Sequence, residues 1–271
     1  LLPFEGGIVN DILKMERPYL GFLCLIAVIS ALHLASLYKK YALFLYGYAL
    51  VISCFIFIIS ARISSLSLLA VLLLYLVFYL KTALKNKLIA GALALAVVIM
   101  VIAVNKNFRE RLFISADSSA SVSKLKSYEP RFIIWPTAYE IIQSSDFNHF
   151  FGIGSEQKIE ELLTQGYQKR ITNKFRADYY VTIKLNTHNQ FLGTYLNSGI
   201  LGVVLLLACV VFQLAGSRKD FIRTSLVSVL LLFLIVENVL YRQIGVYMFA
   251  LILAMTLTDL PVHRKEKAEL S

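Results

Sequence analysis

The chain has 271 residues, 58% of them hydrophobic, with a mean hydropathy of +0.69 and a formal charge of +10. The apolar residues come in long runs that a soluble core does not need, which excludes a soluble globular domain and marks an integral membrane protein. The positive charge follows from the loops that flank those runs and needs no nucleic-acid partner.

Residues 1–18 form a short segment outside the membrane. They begin "LLPFEGG", with neither an initiator Met nor a signal peptide, which reads as a trimmed N-terminus with further spans upstream. Runs 19–37, 41–60, 63–80 and 88–104 are nearly uncharged, and each approaches the roughly 20 residues that cross about 30 Å of hydrocarbon. They give four transmembrane helices over 19–104. A loop domain over 105–189 follows. Runs 190–214, 221–240 and 243–260 give three more spans over 190–260, and 261–271 is a cytoplasmic tail. The expected fold is all-α: a polytopic membrane protein with about seven transmembrane helices and one large external loop containing short helices. Cys24, Cys54 and Cys209 all lie in apolar runs and read as small apolar residues rather than as a disulfide or metal set.

Charge gives the orientation. Lys39-Lys40, then Lys81, Lys85 and Lys87, then Arg218, Lys219 and Arg223, then Arg264, Lys265 and Lys267 fall after alternate spans. Short basic loops stay in the cytoplasm, so the N-terminal segment, the corner at 61–62, the loop 105–187 and the turn at 241–242 are external. That loop holds twelve Lys and Arg against nine Asp and Glu, an excess suited to an anionic ligand at the membrane surface.

At 83 residues, the loop 105–187 is too long for a mere connection and is expected to fold. "PRFIIWPTAYEIIQSS" predicts a helix starting between Arg131 and Ile134, with Trp135, Ala138 and Ile142 or Ile141 on one face and Pro136 confined to its first turns. "FFGIGSEQKIEELLTQGYQ" predicts a glycine turn and a short helix ending at Gly166. "QKRITNKFRADYYVTIK" reads as a solvated basic loop, with a lid at headgroup level as the other reading.

No nucleotide loop, metal-ligand spacing or serine-nucleophile motif is present. What carries chemistry is a set of polar residues at one membrane face. Arg62, at a corner between two apolar spans, reads either as a snorkelling cation or as one facing a cavity. Arg131 heads the predicted loop helix; it is a surface cation or a phosphate ligand, for which its fixed donors suit it. His188 opens the run 190–214, either as a structural hydrogen-bonder or as a base, since imidazole titrates near neutrality. A helix through it would set Phe191 and Tyr195 beneath the ring. Glu237, the one acid inside a span, is a functional carboxylate or the partner of an arginine such as Arg242 just beyond it. His33 reads as a packed histidine in mid-span, and His149 and His263 as loop residues. Gly199 and Gly202 read as close-packing positions for neighbouring helices. Together, Arg62, Arg131, His188 and Glu237 suit a diphosphate-bearing substrate: arginines stabilise the leaving diphosphate and the histidine deprotonates an attacking hydroxyl.

Three motifs carry a resemblance: "SAR" at 60–62, "PRFIIWPTAYEII" with "FFGIGS" over 130–155, and "THNQFLGTYLNSGILG" over 187–202. In these the chain resembles the O-antigen ligase and O-antigen polymerase family of bacterial envelope glycosyltransferases. The resemblance implies a GT-C-like, inverting, metal-independent membrane enzyme of the bacterial inner membrane, with no cofactor and its active face in the periplasm. Its donor would be an undecaprenyl-diphosphate-linked glycan. Its acceptor would be lipid A-core, for an O-antigen ligase of lipopolysaccharide biosynthesis, or another carrier-linked glycan, for a polymerase. Carried over, Arg62 and Arg131 bind the diphosphate and His188 is the general base, with Asn189, Trp135, Glu237 and Arg242 also lining the substrate site. Family members have about a dozen spans, more than the seven expected here, and "SARISS" lacks the family's usual Ser-Arg-Gly. Two other classes stay open: a transporter of lipid-linked glycans, and a scaffolding subunit that uses the loop to dock.

Overall fold

A computed structural model describes residues 15–59, 61–79, 82–89, 129–217 and 220–257, with a few positions between 91 and 99. The described residues are helical, with no strand among them. Four helical stretches, Arg17–Leu37, Lys39–Ile58, Arg62–Tyr79 and Gln190–Ala215, are long and apolar enough to cross a membrane, and two shorter apolar helices cover Phe221–Val236 and Gln243–Leu257. The protein is therefore a helical membrane protein. The expected span 88–104 falls largely outside the described residues, as does His263. The chain divides into two compact units, Leu1–Val122 with Leu214–Leu230 and Ala250–Ser271, and Ser123–Gln213 with Leu231–Phe249.

In the first unit, helix α1 (Arg17–Leu37) packs against α2 (Ala42–Ile58) and α3 (Arg62–Leu74). Pro18 starts α1, where its missing N–H costs nothing. Phe22, Leu25, Val28 and Ile29 of α1 are fully buried, as are Ile56 of α2 and Leu68 and Val71 of α3. Lipid offers no hydrophobic gain for this contact, so close approach must supply the dispersion energy. Gly21 permits it: a Cβ there would lie 2.1 Å from the Ser64 hydroxyl. A π-turn, Tyr75–Tyr79, closes α3. Its Tyr75 shares a 3.0 Å hydrogen bond with Tyr46, and Tyr79 donates to Thr224 at 3.1 Å. His33 is half-buried on α1.

The second unit is built on three short helices: α4 (Arg131–Ile142), α5 (Glu156–Arg170) and α6 (Lys174–Ile183). Their core is Ile134, Ala138, Ile159, Leu163, Tyr167, Ala177 and Tyr180, joined by Leu196 from the next helix. Burying such aliphatic side chains is worth about 1.5–3 kcal/mol each. Tyr167, wholly buried, donates to the Leu185 carbonyl at 2.9 Å and meets Tyr180 edge-on at 5.4 Å. Burial, and then the Tyr180 phenol beside it, push its hydroxyl well above the ordinary phenol range. Ser155 and Asn173 cap α5 and α6 by accepting from the Lys158 and Arg176 amides.

Three local expectations are corrected. α5 does not end at Gly166 but runs through it to Arg170, because Gly166 is a contact residue: a Cβ there would meet the Thr137 methyl at 2.2 Å. The basic stretch 168–184 is not a solvated loop, since Ala177 and Tyr180, three apart on α6, are pulled into the core. On α4 the buried residues are Ile134, Thr137 and Ala138, so Trp135 lies beside that face, two-fifths exposed.

Helix α7 (Gln190–Ser217) is broken at Gly199, whose φ of 62° and ψ of −160° lie in a region open essentially to glycine. The break is a joint with the loop before α5. The Ile153 and Gly154 amides donate to the carbonyls of Leu196 and Asn197, both at 2.8 Å, and the Ile200 amide donates to His149 at 2.9 Å. Gly152 and Gly199 touch there: a Cβ on Gly199 would lie 2.4 Å from the Phe150 carbonyl, and one on Gly152 2.6 Å from the Asn197 backbone. Gly199 thus packs a loop rather than a neighbouring helix, and Gly202 meets Ser198 and Thr194 of its own helix. Helices α8 (Phe221–Val236) and α9 (Gln243–Leu257) follow, separated by a single 3₁₀ turn, Val239–Tyr241.

Candidate functional site

The stretch "NTHNQ", 186–190, runs between α6 and α7, and each of its residues is held by a side-chain hydrogen bond. The Asn186 side chain accepts the His188 amide at 3.0 Å. The Thr187 hydroxyl and the Asn189 amide both donate to the Asn238 side chain, at 3.0 and 2.7 Å. Trp135 donates its indole N–H to the Thr187 carbonyl at 3.0 Å. Gln190 accepts the Leu240 amide at 2.8 Å and donates to Thr194 at 3.1 Å. Asn189 caps α7 by accepting the Leu192 amide at 2.9 Å.

These ties hold His188 at φ 45°, a left-handed conformation that side chains rarely adopt. Such a residue costs of order 1–3 kcal/mol and persists only where its surroundings over-determine it, typically at functional sites. His188 is therefore not the first residue of a helix, and Phe191 and Tyr195 do not lie beneath it in helical register. The Tyr195 phenol instead bonds His149 at 2.9 Å, beside Phe147.

The His188 ring meets Glu237, Nδ1 to Oε2, at 3.4 Å, with both side chains mostly buried. Glu237 is not inside a helix: α8 stops at Val236, and Glu237 occupies the break before the 3₁₀ turn. The break is stabilised where Asn238 and Gln190 engage the backbones of Asn189 and Leu240. Arg131, the first residue of α4, reaches the backbone at His188 and beside Glu237. Its guanidinium donates to the carbonyl of Val236, next to Glu237, and at 3.5 Å to that of His188, and it pairs with Glu129. A planar, permanently charged fork can hold three acceptors in fixed directions, which a lysine cannot.

His188, Arg131, Glu237, Asn189 and Trp135 are thus brought together within the second unit. Arg62 opens α3 in the first unit, exposed. Arg242 is exposed between the 3₁₀ turn and α9, where it acts on the Tyr241 phenol. Sequence reasoning passed over Glu129, Asn186, Thr187, Gln190 and Asn238. Only Asn238 carried a usable signal, as an amide interrupting an apolar run beside Glu237. Among the described residues no group of three His, Cys, Asp or Glu is placed to hold a metal ion.

The O-antigen ligase family model matches residues 47–207, more than half of the chain. The chain belongs to the O-antigen ligase family. No curated protein and no solved structure matches it. Members of this family are glycosyltransferase-like membrane enzymes, and their substrates are a lipid-linked glycan and an acceptor. The matched region takes in Arg62, Arg131 and His188, while Glu237 and Arg242 lie beyond it.

Proposed function

We propose that the protein transfers a glycan from a polyprenyl-diphosphate carrier to an acceptor hydroxyl at the periplasmic face of the inner membrane, as an O-antigen ligase. The observation that carries this reading is the triad of contacts at His188: its Nδ1 against Glu237, its carbonyl and that of Val236 on Arg131. With Nδ1–H turned to the carboxylate, Nε2 keeps its lone pair and takes the proton of the acceptor hydroxyl. The hydroxyl oxygen attacks the anomeric carbon from the side opposite the leaving group. The bond from that carbon to the phosphate oxygen breaks, and its electron pair leaves on the diphosphate. Configuration is therefore inverted. Arg131 supplies positive charge where the leaving group's charge develops, and Glu237 stabilises the imidazolium that forms. Binding of the diphosphate by Arg62 is a separate expectation, tested by Arg62→Gln.

The test uses a strain lacking the gene. The wild-type chain restores the envelope glycan, and His188→Ala, present in the membrane at equal level, fails to restore it. Loss of one general base costs about 10²- to 10⁴-fold in rate. Full restoration by His188→Ala sinks the proposal. The same profile separates the acceptors: polymer missing from the lipid core and retained on its carrier means ligase, and single repeats on the core mean polymerase.

A further inference from the structure

A cavity of about 370 Å³ lies beside this site, between α5, the 184–187 stretch, the first turns of α7 and the Asn238–Tyr241 segment. His188, Glu237 and Arg131 do not line it, but Asn186, Thr187 and Asn238, their chain neighbours, do. Its volume is at the small end of ligand sites, which run from about 300 to 1,000 Å³. That suits one or two sugar rings and not a polyprenyl tail.

The lining has the chemistry of a sugar site. Thr194, Asn197 and Ser198 of α7 bring two hydroxyls and an amide and Asn186 a second amide, groups that both donate and accept, as sugar hydroxyls do. Ile159, Leu163, Leu185 and Leu240 give it an apolar wall for the C–H face of a ring. Its charges are Glu156, Glu160 and Lys184, and the Lys184 ammonium is already paired with Glu160. One carboxylate is left over, so the cavity repels phosphate and carboxylate ligands. Tyr241, on the rim beside both carboxylates, has its phenol pushed up by burial and then by Glu156 and Glu160, which keeps it a donor.

We propose that this cavity is a carbohydrate subsite holding one non-anionic sugar ring, a residue away from the reacting sugar of the glycan whose transfer is proposed at His188. The inference rests on that functional reading for its purpose, and on the cavity for its ligand. The sugar belongs either to the donor glycan or to the acceptor.

The chain has a single tryptophan, Trp135, bonded to the Thr187 carbonyl on the cavity wall. Its fluorescence therefore reports occupancy with no turnover. The purified full chain in nanodiscs is titrated with glucosamine, N-acetylglucosamine and glucuronate. The two non-anionic sugars give saturable changes with dissociation constants on the order of millimolar, and glucuronate binds at least about tenfold more weakly. Asn197→Ala, which truncates an exposed side chain, weakens the non-anionic sugars by about five- to tenfold through a lost hydrogen bond, and Ser198→Ala serves as the second variant. No saturable change, equal binding of glucuronate, or unaltered titrations in both variants overturns the subsite. Because the titration needs no transfer, it fails or stands independently of the His188 test. In a transfer assay Asn197→Ala raises KM for the donor or for the acceptor, which names the source, and a rise in neither overturns the proposal.

Discussion

His188 and Glu237 are 49 residues apart in sequence, and only the break between α8 and α9 lets them meet. Each could be singled out alone, one as a histidine at a span's edge and the other as an acid in an apolar run. Their pairing could not be read, because it depends on Asn238 and Gln190 diverting the backbone after Val236. Arg131 was legible as a cation at a helix start. Its bonds to two carbonyls and Glu129 make it a clamp on the pair as well as a candidate phosphate ligand. The pairing has a measurable consequence. Glu237→Gln keeps the shape and removes the charge that orients the ring and favours the imidazolium. Losing a carboxylate that orients a general-base histidine costs up to about 10⁴-fold. The rate of glycan transfer should fall by that amount, with KM for donor nearly unchanged and the rate restored in part by Glu237→Asp. A Glu237→Gln variant with wild-type rate would leave the carboxylate a merely structural partner.

The broken helix joins what look like separate motifs at the level of the elements. "FFGIG" and "YLNSG" are two halves of one joint, with a positive-φ glycine on each side and backbones in van der Waals contact. Neither motif announces this alone, since glycines in an apolar helix ordinarily mark helix–helix packing. The same limit explains Gly166, where a weak helix former is kept within α5 because Thr137 leaves room for nothing larger. Charge density likewise masked α6, whose two core residues are outnumbered by solvated ones. The start of α4 near Arg131 was legible, because Pro136 is tolerated only near the first turns of a helix. Gly199→Ala tests the joint. An alanine there adds conformational strain of about 1–3 kcal/mol, and its Cβ collides with backbone that cannot rotate away. The variant should unfold at a clearly lower temperature in detergent and lose transfer activity, whereas Gly154→Ala, where a Cβ meets no neighbour, bears only the strain of its own φ. Equal thermal stability of Gly199→Ala and the wild type would mean that the break is not required.

For the whole molecule, the alternation of basic loops between spans is the one global feature that the sequence carries, and the proposed chemistry depends on it. Beyond Gly199, α7 continues as an uncharged stretch from Ile200 to Ala215, about 24 Å long at 1.5 Å per residue. Phe150 and Phe151, both two-thirds exposed, sit at the joint where that stretch begins. Exposed aromatics at the mouth of an apolar stretch belong to the interfacial belt of a membrane. On the topology proposed from the basic loops, the joint lies at the outer surface with the α4–α6 helices beyond it. In a variant with Cys24, Cys54 and Cys209 replaced by alanine, Ser145→Cys and Asn86→Cys place single thiols at exposed positions after α4 and in the basic 81–87 segment. A membrane-impermeant maleimide added to cells with a permeable outer membrane should label Ser145→Cys at once. It should label Asn86→Cys only after the inner membrane is opened. The reverse order would turn His188 and Glu237 toward the cytoplasm, out of reach of a glycan presented on the periplasmic side, and the proposed transfer would fail with it.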